Sequence, residues 1–174
     1  KGTSILTTLA DGIELDLLLP LGNTFTCANT VRPLLVGGGV GIAPMYYLAS
    51  ALVKQGIRPT ILIGGRTAQH LVLRHALEAL GEVYVTTDNG EAGLQGRVTD
   101  HPILREGNFD RVYTCGPKVM MLAVAKIAEE RGIDCEVSLE NMMACGIGAC
   151  LCCVEDLIDR GNTCVCTEGP VFNS

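Results

Sequence analysis

The fold of this chain is indicated by the stretch Pro33-Leu34-Leu35-Val36-Gly37-Gly38-Gly39-Val40-Gly41-Ile42-Ala43-Pro44. An apolar strand at residues 33–36 enters a glycine-rich turn. A helix is predicted from about Pro44 to Gln55, where Gly56 supplies the C-terminal stop. A strand that runs through a tight turn into a helix is typical of an α/β fold.

The same alternation continues as far as residue 140. Further strands are predicted at 60–63, 82–86, 111–115 and 135–139. Helices are predicted at 68–80, 96–104 and 118–131, with glycines at several of their ends. Continuous apolar strands that alternate with amphipathic helices favour a parallel sheet covered on both faces.

The first 32 residues have a different pattern. Two short strands are predicted at 4–9 and 13–18, and Asp11-Gly12 between them is a hairpin signal. The run Pro20-Leu21-Gly22-Asn23 then breaks the pattern. Because two strands alone do not make a stable sheet, we expect this hairpin to pack against another part of the protein.

Composition excludes several classes of protein. The chain has 174 residues, of which 48% are hydrophobic, so it can bury a core and is not disordered. Its formal net charge of −6 disfavours nucleic acid as a partner. No apolar run is long enough for a membrane helix, and the start lacks a signal segment. The chain does not begin with Met, which is compatible with a fragment of a longer protein.

Cysteine is the most informative residue type. There are nine cysteines against three histidines, and five of the nine lie in the last 25 residues. Cysteines can indicate disulfides, metal binding or apolar packing. An odd number without a secretory signal argues against a disulfide framework.

The C-terminal cysteines have the spacing Cys145-x4-Cys150-x2-Cys153, and Cys166 follows after twelve residues. This is the plant-type order of thiolates for a [2Fe–2S] cluster. Gly146 and Gly148 would let the loop turn tightly and bring backbone N–H groups close to the sulfurs.

Two ligand positions stay open on spacing alone. Cys152 adjoins Cys153, and the x2 spacing favours Cys153. Cys164 lies two residues before Cys166, and in an extended segment both would point to the same side. Zinc is the alternative metal, although zinc sites usually show two Cys-x2-Cys pairs.

Three segments are expected at the carboxyl edge of the sheet, where α/β proteins bind ligands. The turn of residues 37–41 is suited to a pyrophosphate, since its N–H groups and the following helix dipole favour anions. Gly64-Gly65-Arg66-Thr67 and Thr114-Cys115-Gly116-Pro117 follow two other strands. A glycine-rich turn of purely structural purpose is the alternative.

Taken together, these segments resemble the ferredoxin reductase superfamily. The resemblance is carried by the segments Pro20-Leu21-Gly22-Asn23-x-Phe25, Gly38-Gly39-Val40-Gly41-Ile42-Ala43-Pro44 and Thr114-Cys115-Gly116-Pro117. Two C-terminal runs, at residues 139–150 and 165–172, more specifically resemble the electron transfer subunits of type B dihydroorotate dehydrogenases.

The resemblance implies three parts. Residues 1–32 would be the remnant of an FAD-binding β-barrel, 33–140 an NAD-binding α/β domain, and 141–174 a small [2Fe–2S] domain. The family's barrel is longer than the 36 residues before Gly37, and its Arg-x-Tyr-Ser-type flavin motif is missing here.

The resemblance also implies a function in pyrimidine (UMP) biosynthesis. Hydride would pass from NADH to FAD. Single electrons would then pass through the cluster to FMN in a partner subunit that oxidises dihydroorotate to orotate. The family implies a cytoplasmic heterotetramer with two of each subunit.

Site residues follow from the same resemblance. The resemblance implies that the cluster ligands are Cys145, Cys150, Cys153 and Cys166, and it favours Cys166 over Cys164. Gly2 and Thr3 would touch the FAD phosphate, and Cys115 would sit near the nicotinamide and the flavin. The dinucleotide would be lined by Gly38, Gly39, Gly41, Pro44, Gly116 and Pro117.

Other functions are compatible with the same motifs. One is the small subunit of a related reductase, of the sulfide dehydrogenase or NADH–ferredoxin:NADP oxidoreductase type. Another is a zinc-stabilised nucleotide-binding module without enzymatic activity. Arg66 could meet a 2′-phosphate and so favour NADP, but the family favours NAD.

Overall fold

A seven-stranded sheet forms the centre of the protein, for which a computed structural model describes residues 2–174. The strands of these residues are β1 (Pro33–Gly38), β2 (Thr60–Gly65), β3 (Glu82–Thr87), β4 (Leu94–Gln95), β5 (Arg111–Cys115), β6 (Asp134–Ser138), β7 (Val154–Leu157), β8 (Gly161–Cys164) and β9 (Val171–Asn173). The α-helices are α1 (Gly2–Leu6), α2 (Ile42–Lys54), α3 (Arg74–Glu78), α4 (Ile103–Glu106), α5 (Lys118–Glu130) and α6 (Val165–Glu168).

The order of strands in the sheet is β4-β3-β2-β1-β5-β6-β9. Neighbouring strands from β4 to β6 are parallel, and only β9 runs antiparallel, beside β6. In the register, Gly37 lies opposite Cys115 and Gly38 lies opposite Gly64. The predicted α/β class with a mostly parallel sheet is confirmed.

Each face of the sheet is covered by a helix. Leu35 of β1 packs with Leu48 and Leu52 of α2 on one face. Leu34 of β1 packs with Val124 of α5 on the other face. Successive side chains of a strand point to opposite faces, so both cores require apolar residues at every position of β1.

The turn between β1 and α2 requires glycine at position 41, because there is no space for a side chain against β5. Residues Gly39–Gly41 form a 3-10 turn that enters α2 directly. The backbone of Gly41 has φ −64°, which any residue can adopt. A Cβ there would overlap the carbonyl group of Cys115 in the adjacent strand. The glycine therefore keeps β1 and β5 close at this edge.

The hairpin expected near the N-terminus is absent. Residues 2–6 form the helix α1, and the described residues before β1 contain no strand. The turn at Asp11-Gly12 does form, with Gly12 at φ 88°. Its flanking segments pair with nothing and are exposed, which agrees with the marginal stability of an isolated strand pair.

Two predicted helices are shorter than expected. The helix expected at 68–80 is interrupted at Leu73, whose φ of 60° lies in the left-handed region, and α3 begins after it. The helix expected at 96–104 is replaced by a 3-10 turn, Val98–Asp100, and by α4. None of the helices in residues 2–174 has the length and apolarity to cross a bilayer.

The C-terminal segment depends on the main sheet. Strands β7 and β8 form an antiparallel hairpin, and β9 then returns to pair with β6. The small core of this segment, at Cys153, Val165, Cys166 and Phe172, also includes Val137 of β6. The boundary expected at residue 141 remains a prediction.

We expect Gly41→Ala to lower the free energy of unfolding by about 1–3 kcal/mol, because the new Cβ must push β1 away from β5. Denaturant unfolding of the purified chain measures this change. Val40→Ala is the control, since Val40 lies in the same turn and is exposed. Equal stability of Gly41→Ala and the parent chain would contradict the close contact described above.

Candidate functional site

The cysteine loop, residues 145–153, lies between β6 and β7 without regular secondary structure. Gly146 and Gly148 have φ angles of 71° and 76°, which L-amino acids with side chains rarely adopt. A Cβ on Gly146 would press against Leu18 and Leu21 of the N-terminal segment. The two glycines therefore allow both the tight path of the loop and its contact with residues 18–21.

Backbone N–H groups point at three of the sulfurs. The N–H of Cys150 donates to Cys145 Sγ at 3.3 Å, and that of Gly148 donates to Cys166 Sγ at 3.3 Å. The N–H of Cys166 donates to Cys153 Sγ at 3.4 Å. Such donors stabilise negative charge on sulfur, as thiolate ligands of a metal require.

The four expected ligands stand in two pairs. Cys145 and Cys150 are joined by the bond from the Cys150 N–H to Cys145 Sγ, and Cys153 and Cys166 by the bond from the Cys166 N–H to Cys153 Sγ. Among residues 2–174, no three His, Cys, Asp or Glu side chains are arranged to hold one metal ion. Two thiolates for each of two irons is the division that a [2Fe–2S] cluster uses.

The pKa of one thiol in each pair is lowered by its surroundings. Backbone N–H groups, first that of Ile147 and then that of Cys150, lower the pKa of Cys145 to about 6. The N–H of Cys166 lowers the pKa of Cys153, and the contact with Cys153 raises the pKa of Cys166. The backbone therefore favours the thiolate form of one sulfur in each pair.

Cys152 and Cys153 have different surroundings in the structure, and so do Cys164 and Cys166. Cys153 is buried and packs with Cys166, whereas the adjacent Cys152 is exposed. Cys164 ends β8 and Cys166 lies in α6, so the two are not in one extended strand. Cys166 Sγ accepts an N–H, but Cys164 Sγ faces the carbonyl oxygen of Gly148 at 3.8 Å.

Asn23 ties the N-terminal segment to the chain that follows α6. Its side-chain amide donates to the carbonyls of Glu168 at 2.9 Å and Val171 at 2.8 Å, and its Oδ1 accepts the N–H of Val171 at 2.9 Å. Gly22 beside it lies against the Gly169 carbonyl. Apart from the family resemblance, the sequence indicated only a break in the strand pattern here. The available signal was an asparagine, whose side chain can donate and accept hydrogen bonds at once.

The three glycine-containing strand ends lie side by side, as expected. The end of β1 sits between those of β2 and β5 at the carboxyl edge. The chain leaves β1 for β2 on one side, while β5 lies on the other, which makes this a topological switch point. Gly38, Gly39, Gly41, Pro44, Gly116 and Pro117 all belong to this edge or to the start of α2.

Cys115 is buried at the end of β5, with 1% of its surface exposed. Burial, followed by the charge of Glu140, raises the pKa of its thiol to about 11. The group is therefore protonated at neutral pH and is a packing residue and weak donor rather than a nucleophile. Arg66 is exposed beyond β2, and Gly2 and Thr3 are exposed in α1.

Polar contacts connect the sheet edge to the cysteine loop. Lys118, the first residue of α5, forms an ion pair with Glu155 of β7, with Nζ and Oε1 2.6 Å apart. Asn141 donates to the carbonyl of Cys153 at 3.3 Å. A cavity of about 130 Å³ between them is lined by Gly116 and Pro117 as well. A larger cavity, of about 570 Å³, lies around Arg111 and Asp134 at the opposite edge.

Two known domain families match parts of this chain. Residues 140–174 match the iron-sulfur cluster binding domain of dihydroorotate dehydrogenase B. Residues 35–126 match the oxidoreductase NAD-binding domain. These matches cover the cysteine loop and the glycine-rich edge respectively.

Curated relatives and a solved structure agree with these domains. The electron transfer subunit of dihydroorotate dehydrogenase B (NAD(+)) from Geobacillus kaustophilus is 40% identical over 100% of this chain and 69% of its own length. The subunit of that name from Caldanaerobacter subterraneus subsp. tengcongensis is 42% identical over 99% of this chain and 69% of its own length. The solved NADH-dependent reduced ferredoxin-NADP oxidoreductase is 37% identical with a TM-score of 0.85, over 99% of this chain and 63% of that one.

The cysteine spacing, the glycine-rich sheet edge and the identity across the whole chain lead to one assignment. The chain belongs to the family of electron transfer subunits of dihydroorotate dehydrogenase B.

Proposed function

We propose that this chain carries electrons between NAD(H), FAD and a [2Fe–2S] cluster and the FMN-containing catalytic subunit of dihydroorotate dehydrogenase, in pyrimidine biosynthesis. The observation that carries the proposal is the arrangement of four sulfurs in two pairs, with backbone N–H groups directed at three of them. Family membership supports the same function.

The proposed cluster ligands are Cys145, Cys150, Cys153 and Cys166. Their thiols suit iron, and the N–H donors stabilise the negative charge that thiolates and bridging sulfides carry. When bound, the cluster takes up one electron at a time. The chain's own contribution is to hold the sulfurs in pairs and to bury Cys153 and Cys166 away from water.

The proposed dinucleotide site is the sheet edge of Gly38, Gly39 and Gly41. Backbone N–H groups of the turn and the dipole of α2 would bind the pyrophosphate of NAD(H). Pro44 is tolerated in the first turn of α2 because its missing N–H would have no helical partner there. Gly116 and Pro117, with Cys115 beneath them, would lie beside the nicotinamide.

For FAD, we propose that residues 1–32 form the end of a barrel that holds the flavin. Gly2 and Thr3 begin α1, and the first N–H groups of a helix lack intrahelical partners, so they are suited to a phosphate. More than half of the surface of each of several nearby apolar side chains is exposed, as expected for a surface that another element covers. These side chains are Ile13, Leu15, Leu17, Leu18 and Leu19.

The proposed docking surface for the catalytic subunit surrounds the cysteine loop. Met142, Met143, Ile147 and Leu151 are exposed apolar residues on or beside this loop. Apolar residues around a redox centre would exclude water when the subunits dock and would shorten the path of the electron. A heterotetramer with two of each subunit is proposed from the family.

We also propose a cytoplasmic location. All nine cysteines are free thiols in the structure. Thiols stay reduced in the cytosol, whereas oxidising compartments favour disulfides.

A second candidate function is electron transfer in a ferredoxin–NADP oxidoreductase. It is favoured by the TM-score of 0.85 to the solved NADH-dependent enzyme. The two candidates differ in the partner that donates or accepts electrons at the cluster.

The partner can be tested by mixing the cluster-loaded chain with a dihydroorotate dehydrogenase catalytic subunit and dihydroorotate. We expect the visible absorption of the cluster to bleach, because oxidation of dihydroorotate to orotate delivers two electrons to FMN, which passes them on singly. Omission of the catalytic subunit is the control. Bleaching only with reduced ferredoxin would favour the second candidate.

We expect Cys150→Ser to lose the cluster, since serine is a poorer iron ligand than thiolate. Iron content should fall from about two per chain towards zero, with loss of the visible absorption. Cys152→Ser is the matched control two residues away and should keep both. Loss of iron in Cys152→Ser alone would contradict the ligand assignment.

We expect Val40→Glu to weaken NADH binding about tenfold, or ~1.4 kcal/mol, because a carboxylate at the turn repels the pyrophosphate. Val40 is exposed, so the fold should not change. Calorimetric titration of the chain with NADH measures the affinity, with Val40→Thr as the uncharged control. Unchanged affinity in Val40→Glu would place the dinucleotide elsewhere.

A further inference from the structure

Residues 18–26 form a connecting segment between the cysteine loop and the main sheet. At one end, the side chains of Leu18 and Leu21 lie against Gly146 of the loop. At the other end, Phe25 packs against the core on the α2 face of the sheet. The connecting segment has no helix or strand of its own, so its path depends on contacts with other parts of the chain.

Both backbone groups of Thr26 are bound by side chains of the sheet. The hydroxyl of Tyr113 in β5 donates to the Thr26 carbonyl at 2.6 Å. The N–H of Thr26 donates to Oε2 of Glu136 in β6 at 2.8 Å. Tyr113 and Glu136 lie opposite each other in the register of these two strands. Thr26 is therefore fixed over the line where β5 and β6 meet.

The two anchoring side chains are themselves buried and held by the sheet. Tyr113 has 0% and Glu136 has 4% of its surface exposed. The ring of Phe25 meets that of Tyr113 edge-on, with centroids 5.5 Å apart. Oε1 of Glu136 faces Nη1 of Arg111 at 3.5 Å, so the buried carboxylate has a cation beside it. The positions of both anchors are thus determined by the sheet.

The anchor at Thr26 restricts where the rest of the connecting segment can go. A chain spans at most about 3.6 Å per residue, so Asn23 stays within about 11 Å of Thr26. Asn23 is the residue that binds Glu168 and Val171, in the chain that follows Cys166. The hydrogen bonds at Thr26 therefore limit the movement of the segment that contacts the cysteine loop.

We propose that Tyr113 and Glu136 are positioning residues for the cysteine loop, because they hold Thr26 and thereby keep Leu18, Leu21 and Asn23 in contact with the C-terminal segment. The inference rests on the proposed function, in which this loop holds the cluster. It assigns to two buried side chains of the α/β domain a part in fixing the position of a site that they do not touch.

The test uses variants that remove one hydrogen bond at a time. Tyr113→Phe loses only the hydroxyl and keeps the ring. Glu136→Met removes the acceptor at similar size, whereas Glu136→Gln keeps an oxygen for the Thr26 N–H and should rescue the effect. Tyr84→Phe is the matched control, since its hydroxyl donates to Glu82 at 2.7 Å on an exposed part of β3. Ile61→Val, in the core of β2, controls for a general loss of stability.

Three readouts follow the cysteine loop: amide hydrogen exchange of residues 145–153, the rate at which a chelator removes iron from the loaded chain, and the visible circular dichroism of the cluster. We expect exchange and iron release to be about three- to tenfold faster in Tyr113→Phe and Glu136→Met, the factor that one lost hydrogen bond gives for local opening. The dichroism should change in the same two variants. Glu136→Gln, Tyr84→Phe and Ile61→Val should match the parent in all three readouts.

Unchanged exchange and iron release in both Tyr113→Phe and Glu136→Met would overturn the inference. Equal acceleration in Glu136→Gln and Glu136→Met would overturn it too, because the effect would then follow the charge of Glu136 rather than its bond to Thr26. The same acceleration in Ile61→Val would assign the effect to overall stability. A parent chain that binds no iron would refute the proposed function, while hydrogen exchange of the loop would still decide the role of the two anchors.

Discussion

Backbone N–H groups that point at sulfur are the interaction on which the C-terminal segment, residues 141–174, depends. They require the chain to turn so tightly that its peptide groups face the cysteines. Gly146 and Gly148 allow that path through their left-handed φ angles. The large apolar side chains of the loop, Ile147 and Leu151, are exposed and form no core, so its shape must be maintained by the segments around it.

Those segments come from distant parts of the sequence. Leu18 and Leu21 press on Gly146, and Asn23 holds the chain that follows α6 with three hydrogen bonds. From the other side, β9 pairs with β6 and extends the main sheet. The cysteine loop is therefore attached both to the N-terminal segment and to the α/β domain, which gives the sulfurs a rigid frame in a region with a small core.

The same frame relates the two proposed sites to each other. The dinucleotide edge follows from the position of β1 between β2 and β5, which leaves a crevice at their carboxyl ends. The ion pair of Lys118 with Glu155 connects that edge to β7, and the hydrogen bond from Asn141 to Cys153 holds the cysteine loop beside it. Electron transfer depends more on fixed distances between redox groups than on catalytic acids or bases. The main task of the chain is therefore to position those groups.

The sequence by itself determined the α/β class, the strands β1, β2, β3 and β5, and the cysteine spacing, because burial on both faces and thiolate ligation impose local patterns. The predictions of an N-terminal hairpin and of an unbroken helix at 68–80 were wrong. Alternation and propensity cannot show whether a strand has a partner or where a helix is interrupted. Only the tertiary structure decided how Cys164 and Cys166 differ, because one ends a strand and the other lies in a helix. Asn23 likewise became meaningful only through contacts with Glu168 and Val171, about 150 residues away in the chain, which no local pattern can encode.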